Sequence, residues 1–346
     1  MPADEPTAGR RTGRRRRPFA ELSPAGKQRR VAALAIAALE AYDLRVRRVR
    51  VHAFATNLLY RVQSDTGERF MLRMAFPGWR TLTDLHAEAA WLEALQRDTD
   101  IAAPTVVRAR GGEAVLPMRA PGVPDVWHAT LMTWVDGRLL VHHLDEVNVA
   151  RLGELFARLH AHGKAWTPLV GFTDRHFEAF LSRGEPDVLF GEGAIDELGA
   201  DDHSAFLRAR AWVERAYASL DGEDLRVINC DLWHENVKLD RGRLRPFDFE
   251  DTIWGYRLHD LAMGMLDLLE TVGPERYPHL LAACKSGYET LLAWPDGDLE
   301  VLQIGRLLWM ANYVARFHRA TFGGMGEAYG RAFRAFEQNG VLQVPA

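Results

Sequence analysis

The sequence predicts a two-lobed α+β fold, with a small antiparallel sheet in the N-terminal part and a mainly helical C-terminal part. The chain has 346 residues, which is enough for two lobes. Alternating apolar residues between Leu44 and Met74 indicate β-strands. From Val149 onward, apolar residues recur three and four positions apart, which indicates amphipathic helices. We expect a first lobe over residues 31–130 and a second lobe over residues 131–346.

Composition restricts the class of protein. Apolar residues make up 47% and charged residues 26%, as in soluble globular proteins, and a net charge of -4 gives no indication of a nucleic-acid or membrane partner. Only Cys230 and Cys284 occur, so a disulfide framework and a four-cysteine zinc site are excluded. A reducing, cytoplasmic location fits. The longest apolar run, residues 31–39, is predicted to be the first helix rather than a signal peptide.

The first 30 residues are expected to form an Arg-rich, disordered tail and lead-in. Residues 1–18 carry Arg10, Arg11 and Arg14–Arg17 among Pro, Gly and Thr, with almost nothing to bury. Such a run could bind nucleic acid or another polyanion. A solvated tail is the favoured interpretation.

Three strands are predicted at the start of the first lobe. They cover Val46–His52, Leu58–Gln63 and Arg69–Met74, with a hairpin turn at residues 64–67. A helix follows, with an apolar stripe between residues 85 and 95.

The stretch 227–262 carries the residues with chemistry. A short apolar strand precedes Asp231, Asn236 follows five positions later, and Asp248 comes after a hairpin predicted at residues 240–242. Phosphoryl transfer needs a carboxylate that accepts the proton of the attacking hydroxyl and oxygen ligands that hold Mg²⁺ on the phosphates. Asp231 suits the first role, and Asn236 with Asp248 suits the second. Asp and Asn beside hairpins are also common turn formers, so their combined spacing is what favours catalysis.

Three motifs in this stretch resemble those of the aminoglycoside phosphotransferase and choline kinase-like family. They are D-L-W-H-E-N at 231–236, F-D-F-E-D at 247–251 and H-D-L-A at 259–262. The family's loop reads roughly H-G-D-x-H-x-x-N, followed by I-D-F-(D/E/G)-D and a later D-L-A. The resemblance extends over about residues 44–318. It implies a bilobal protein-kinase-like fold and a magnesium-dependent transfer of the γ-phosphate of ATP, with GTP left open, to a hydroxyl group.

The resemblance also implies individual roles. Asp231 corresponds to the catalytic base, Asn236 and Asp248 to the magnesium ligands, and Asp260 to the residue that braces the catalytic loop over 229–236.

Two positions depart from the family pattern. Asn229 stands where the family usually has His, and Cys230 where it usually has Gly. We expect Asn229 to keep a supporting hydrogen bond and the active site to be intact.

On the nucleotide side the resemblance assigns four residues. Arg73 lies in an apolar strand, where it would reach the phosphates, although a strand-edge Arg that faces water is the alternative. Glu88 lies on the apolar stripe of the following helix, and an inward carboxylate needs a partner, so we expect an Arg73–Glu88 pair. The loop 52–57 has no G-x-G-x-x-G signature, and Thr56 and Asn57 are its candidate phosphate donors.

Residues 129–137 predict a strand that runs into a turn. By resemblance this is the linker between the lobes, in which the backbone of Met132, Thr133 and Trp134 would bind the adenine. A buried edge strand is the alternative.

The second lobe is predicted to be helical over Val149–His160, Leu261–Leu269, Tyr277–Leu292 and Leu299–Thr321. The segment 181–202 is rich in Gly and acidic residues, which is typical of a solvated loop. Its place before the catalytic loop also makes it a candidate wall of the acceptor site, and its acidity would suit a cationic acceptor.

The predicted function is a kinase that acts on a small-molecule hydroxyl, in an aminoglycoside-like, amino-alcohol or homoserine-like acceptor. A protein Ser/Thr kinase of the stress-response type shares these motifs. Asn229 and Cys230 leave a catalytically idle nucleotide-binding module as a further alternative, and the Arg-rich tail leaves a polyanion-binding protein. No motif identifies the acceptor or the oligomeric state.

Overall fold

The computed structural model describes residues 17–54 and 57–345. The chain divides into two compact units, of which the first runs to Trp79 and resumes over Val107–Leu131, and the second holds Arg80–Val106 and everything from Met132 on. Almost all of the Arg-rich tail lies outside the described residues, and so does Thr56.

Within residues 17–54 and 57–131, the first unit contains one α-helix and most of a sheet of six strands. The order in the sheet is β1-β2-β3-β6-β4, and β5 pairs with β6. Strands β1, β2 and β3 pair antiparallel in chain order. The elements are α1 (Pro24–Leu39), β1 (Val46–Phe54), β2 (Asn57–Ser64), β3 (Arg69–Ala75), β4 (Val106–Val107), β5 (Leu116–Met118) and β6 (Trp127–Thr133).

Helix α1 begins earlier than the sequence predicts. The Ser23 side chain accepts a hydrogen bond from the backbone N–H of Gly26 at 3.2 Å, and Pro24 occupies the first helical position. Residues 24–30, predicted as part of a disordered lead-in, are therefore helical. Leu34 of α1 belongs to the core that also contains Leu58 and Trp127 of the sheet.

The second unit is mainly helical and carries two small sheets, ordered β10-β9-β7 and β11-β8. Its helices are α2 (Leu82–Asp98), α3 (Glu146–Ala165), α4 (Ala200–Ala218), α5 (Arg257–Val272), α6 (Tyr277–Tyr288), α7 (Leu299–Phe317) and α8 (Arg319–Asn339). Its strands are β7 (Arg138–Leu139), β8 (Arg226–Ile228), β9 (Val237–Asp240), β10 (Arg243–Pro246) and β11 (Ile253–Gly255). The predicted α+β class is confirmed.

Helix α2 belongs to the second unit, although residues 80–106 are predicted to be part of the first lobe. The reason is its packing. The fully buried Trp91 donates from its indole N–H to Nδ1 of His162 at 3.1 Å, and its ring contacts Phe249 with centroids 5.5 Å apart.

The predicted helix 299–321 is wrong in its extent. It ends at Phe317, because His318 leaves helical geometry with φ -133° and ψ 41°, and α8 starts directly afterwards. Neither α4 nor α8 is predicted from the sequence. Helix α8 contains Gly323, Gly324, Gly326 and Gly330, each of which lowers helix propensity. No helix in residues 17–54 or 57–345 is long and apolar enough to cross a membrane.

Candidate active site

Two hairpin-like pairings bring the motif residues together. Strand β8 ends at Ile228 and pairs with β11, in which Ile253 is the partner of Ile228. The β9–β10 hairpin places Asn236 beside Phe247, whose backbone N–H donates to the Asn236 carbonyl at 2.9 Å. The catalytic loop before β9 and the metal loop after β10 therefore lie side by side.

Asn236 is hydrogen-bonded to Asp231. Its amide Nδ2 donates to the Asp231 carboxylate at 2.7 Å and to the Asp231 carbonyl at 3.0 Å. A carboxylate can only accept here, so the contact fixes the orientation of the amide and turns its oxygen away from Asp231. The predicted base and one predicted metal ligand are thus in direct contact.

Asn229 connects the catalytic loop to the metal loop. Its Oδ1 accepts from the backbone N–H of Asp231 at 3.1 Å, and its Nδ2 donates to the carbonyl of Asp248 at 3.5 Å. The side chain is buried. The expected supporting hydrogen bond is present, and the amide can serve both loops because it has a donor and an acceptor.

The carboxylate of Asp260, at the start of α5, contacts the loop that carries Asp231. One carboxylate oxygen accepts from the backbone N–H of Cys230 at 2.7 Å, and the other lies 3.0 Å from Nε2 of His160. Burial lowers the pKa of His160, so its neutral ring donates to Asp260 and accepts from the Tyr288 hydroxyl at 3.0 Å. His160 is therefore a buried structural residue, as the sequence favours.

Cys230 adopts a left-handed backbone conformation, with φ 65°. This explains the family preference for Gly, because a side chain at positive φ costs roughly 1–2 kcal/mol. The thiol lies 3.5 Å from Nε2 of His259, and burial raises its pKa to about 12. Burial likewise lowers the pKa of His259 to about 3, and its Nδ1 accepts from the Tyr217 hydroxyl at 2.6 Å. Cys230 is a packing residue, because neither its thiol nor His259 ionises at neutral pH.

Asp248 presents an exposed carboxylate between a half-buried Phe247 and a fully buried Phe249. Its backbone is left-handed as well, with φ 62°. A non-glycine residue in this region persists only when its surroundings impose it, and such residues cluster at functional sites.

Burial and neighbouring carboxylates raise the pKa of Asp231. Burial is the largest cause, and the charges of Asp251, Asp248 and Asp267 add to it, whereas Arg306 opposes them. Acidic groups that destabilise one another's ionised forms are what a cation-binding site contains before its cation arrives. No cluster of three or more His, Cys, Asp or Glu side chains with metal-binding geometry occurs in residues 17–54 and 57–345. The oxygens of Asp248 and Asn236 fit a Mg²⁺ ion that takes its remaining ligands from phosphate and water.

A model of the phosphotransferase enzyme family matches residues 48–294, which include all of the motifs above. The chain belongs to the phosphotransferase enzyme family. The predicted family and enzyme class, a phosphotransferase with an alcohol group as acceptor, are thereby confirmed. No curated protein sequence matched the chain.

Solved structures of kinases share the fold. An amicoumacin kinase in complex with AMP-PNP, Ca²⁺ and Ami has a TM-score of 0.71 at 16% identity, covering 91% of this chain and 96% of its own. A microcompartment-associated aminopropanol kinase has a TM-score of 0.70 at 21% identity, with 90% and 99% covered. A spectinomycin phosphotransferase in complex with ADP and spectinomycin reaches 0.56 at 11% identity, with 89% and 93% covered.

The residues predicted for the nucleotide side lie on three elements. Arg73 lies on β3 and is buried, Glu88 lies on α2 and is buried, and Asn57 is the buried first residue of β2. The Arg73–Glu88 pair and the phosphate contacts of Asn57 and Thr56 stay predictions.

The predicted adenine-binding residues lie at the end of β6. The backbone N–H of Thr133 donates to the carbonyl of Thr105 at 2.9 Å, and the adenine contacts of Met132, Thr133 and Trp134 stay predictions. Lys238 lies over the Trp134 ring, with its Nζ 4.6 Å from the centroid, and donates to the carbonyl of Val135 at 2.8 Å. Sequence reasoning missed Lys238, because its partners lie about a hundred positions away.

The acid-rich segment 181–202 does not provide the acidity that the sequence suggested for the acceptor site. Most of its carboxylates have partners elsewhere in the second unit. Glu185 accepts from the Trp309 indole, Asp187 accepts from the backbone of Phe190, and Asp196, Glu197 and Asp202 contact His203, Arg319 and Arg334. These pairs span α4, α7 and α8, two of which the sequence did not predict.

Acidity near the catalytic loop comes from α5 instead. Thr271 of α5 is 2.8 Å from Nε2 of His234, three residues after Asp231, so this face of the helix is turned to the loop. Asp267 precedes Thr271 by one turn, and burial raises its pKa to about 7. Glu270 and Glu235 add to that rise, whereas Arg306 of α7 opposes it.

Proposed function

We propose that this phosphotransferase transfers the γ-phosphate of ATP, with Mg²⁺, to the hydroxyl group of a small molecule that also carries an ammonium group. The observation that supports it most is the Asp231–Asn236–Asp248 arrangement, in which a base, an oriented amide and an exposed carboxylate lie on adjoining loops.

Asp231 orients the acceptor hydroxyl and takes its proton at the carboxylate during attack. The Asn236 amide holds that carboxylate in place from one side, at 2.7 Å. Asn229 fixes the loop backbone on which Asp231 sits, through the 3.1 Å bond from the Asp231 N–H.

Asn236 and Asp248 would hold the metal through their side-chain oxygens. When bound, Mg²⁺ neutralises charge on the transferring phosphate. Arg73 of β3 would add a cation on the phosphate side. Met132 and Trp134 supply backbone contacts to the adenine.

The acceptor class follows from the charges around Asp231. Asp267 and Glu270 on α5 have raised pKa values because of burial, which Arg306 only partly opposes. An ammonium group on the acceptor would compensate them. Arg306 also lies on the Trp309 ring, with its guanidinium carbon 4.5 Å from the ring centroid, which is a cation–π contact.

Amino-alcohols are therefore the favoured acceptors, with homoserine-like and aminoglycoside-like compounds in the same charge class. The fold is shared with an aminopropanol kinase, and aminopropanol is a compound of this class. The cytoplasm is the proposed compartment, because Cys230 and Cys284 are both free.

A matched set of acceptors tests the proposal. L-Homoserine carries a hydroxyl, an ammonium and a carboxylate; 3-aminopropan-1-ol lacks the carboxylate, 4-hydroxybutanoate lacks the ammonium, and propan-1-ol lacks both. We expect ADP release from Mg·ATP with the two ammonium compounds only, and loss of it in Asp231→Asn. GTP replaces ATP in a parallel arm.

Three outcomes would point elsewhere. Equal turnover with propan-1-ol would contradict the ammonium requirement. Phosphate transfer to a Ser/Thr-containing protein, with none to the small acceptors, would favour the stress-response protein kinase. Slow magnesium-dependent hydrolysis of ATP without any acceptor effect would identify an idle nucleotide-binding module.

A further inference from the structure

Asp251, the last residue of the F-D-F-E-D motif, is held by two arginines from outside any motif. Arg80 donates from Nη2 to its carboxylate, and Nη2 of Arg183 lies 3.4 Å from the same oxygen. Arg183 also donates to the backbone carbonyl of Asp251. The side chains of Arg80, Arg183 and Asp251 are only 10%, 9% and 20% exposed, so water screens these contacts poorly.

The electrostatics agree with a permanently ionised group. Burial by itself would raise the pKa of Asp251, but the charges of Arg183, Arg80 and Arg306 outweigh it and hold that pKa below its ordinary value. A buried carboxylate with two guanidinium partners costs much to disturb, because removal of one partner leaves an uncompensated charge.

This cluster lies on the loop that carries the predicted metal ligand. Asp251 follows Asp248 by three residues. Thr252 closes the turn 249–252, because it donates to the Phe249 carbonyl from its N–H at 3.1 Å and from its hydroxyl at 2.7 Å. Asp248 has φ 62°, a conformation that its neighbours must impose.

The fixed points of the loop lie on both sides of Asp248. On the N-terminal side, the Phe247 N–H donates to the Asn236 carbonyl at 2.9 Å, and Asn229 reaches the carbonyl of Asp248 itself at 3.5 Å. On the C-terminal side, the fixed points are the contacts of Arg80 and Arg183 with Asp251.

The two arginines come from distant parts of the second unit. Arg80 immediately precedes Thr81, the cap of α2, and Arg183 lies in the segment 181–202. Arg175 continues the network, since it pairs with Asp84 at 3.2 Å and donates to the Arg183 carbonyl at 3.3 Å, but it does not reach the metal loop.

We propose that Arg80 and Arg183, acting through Asp251, are positioning residues that hold Asp248 in the conformation in which it binds the metal of the Mg·nucleotide. The inference rests on the proposed function, because it assumes that Asp248 is a metal ligand. Residues that orient a metal ligand typically contribute 10–100-fold to metal affinity.

The test is thermal unfolding of the full chain with ATP at a fixed concentration and increasing Mg²⁺. In Asp251→Asn we expect the Mg²⁺ concentration that gives half of the maximal rise in Tm to increase by about tenfold or more. Arg183→Lys keeps a cation but loses the guanidinium that contacts both the carboxylate and the carbonyl of Asp251. We therefore expect a smaller increase in the Mg²⁺ midpoint. The Tm rise given by ATP without Mg²⁺ should stay as in the parent.

Arg175→Gln is the matched control, because it removes a guanidinium from the same network without touching Asp251. We expect the Mg²⁺ midpoint of this variant to equal that of the parent, whatever its Tm. Equal midpoints in the parent, Asp251→Asn and Arg183→Lys would overturn the inference, and so would an equal increase in Arg175→Gln. If Asp251→Asn does not fold, Arg183→Lys decides alone. A parent that shows no Mg²⁺-dependent rise would contradict the proposed function instead.

Discussion

The catalytic loop and the segment 181–202 lie in the same unit but are held together in different ways. Contacts within the catalytic loop are local, since Asn229 binds a residue two positions on and Asn236 binds one five positions back. The segment is attached by contacts that span the chain, with 124 positions between Glu185 and Trp309 and 124 between Val188 and Asn312. The residues with predicted chemistry are therefore encoded in a short motif, whereas the candidate wall of the acceptor site depends on distant pairs.

Asp231→Asn should have the largest effect on activity, and it tests the catalytic loop alone. The variant keeps the shape of the side chain but removes its basicity, so we expect kcat to fall by about 10²–10⁴-fold. The rise in Tm given by Mg·ATP should be unchanged, because the nucleotide ligands remain. Loss of nucleotide binding in this variant would sink the role assigned to Asp231.

Asn312→Ala tests the distant half. The Asn312 side chain accepts from the backbone N–H groups of Val188 and Leu189 at 2.8 and 3.1 Å and donates to the carbonyl of Pro186 at 3.0 Å. Without it these buried groups lose their partner, and we expect stability to fall by about 2–4 kcal/mol in urea unfolding.

The kinetic result matters more for the comparison. We expect Asn312→Ala to raise the acceptor KM and to leave the ATP KM unchanged. Asp196→Asn is the control in the same segment, because this exposed carboxylate should contribute less than about 1 kcal/mol. A change in the ATP KM with a normal acceptor KM would show that the segment does not form the acceptor side.

Asp267→Asn should change how stability depends on pH. Burial raises the pKa of Asp267 to about 7, above its ordinary value of 3.8. The folded state thus binds the proton more tightly than the unfolded state, and stability from this group is lost as pH rises from about 4 through 7. We expect Asp267→Asn to be relatively more stable than the parent at pH 8 than at pH 4, by up to about 4 kcal/mol.

Parallel stability curves for Asp267→Asn and the parent between pH 4 and pH 8 would show that Asp267 is not the buried acid inferred here. Glu270→Gln serves as the comparison on the same helix, because its carboxylate is more exposed.

Cys230 and Cys284 allow a smaller but sharper test of the left-handed backbone. At Cys230, with φ 65°, Gly should be more stable than Ala by about 1 kcal/mol, because only Ala keeps the steric cost. At Cys284, buried inside α6, the order should reverse by about the same amount. If urea unfolding shows the Ala variant to be more stable than the Gly variant at both positions, Cys230 carries no backbone strain.

The amount that the sequence could predict follows the same division. Asp231, Asn236, Asp248, Asn229 and Asp260 were found because their contacts lie within one motif or link two neighbouring motifs. Their spacing on a strand, a loop and a hairpin already determines which side chains meet.

The missed features depend on packing between distant elements. Arg80 and Arg183 belong to no motif in the sequence, and their contacts with Asp251 form only in the folded chain. The ion pairs of residues 196–202 require α4 and α8, neither of which is predicted from the sequence. A carboxylate-rich segment then looks like a cation site, although Glu197 and Asp202 are paired with arginines more than a hundred positions away.

The most direct measurement is thermal unfolding of the parent and Asp248→Ala with ATP, with and without Mg²⁺. At an ATP concentration of about 100 times Kd, binding should add roughly 2.7 kcal/mol, a rise of a few degrees in Tm. We predict a Mg²⁺-dependent rise in the parent that disappears in Asp248→Ala. An equal rise in both proteins, or none in the parent, would contradict the assignment of this loop as the nucleotide–metal site.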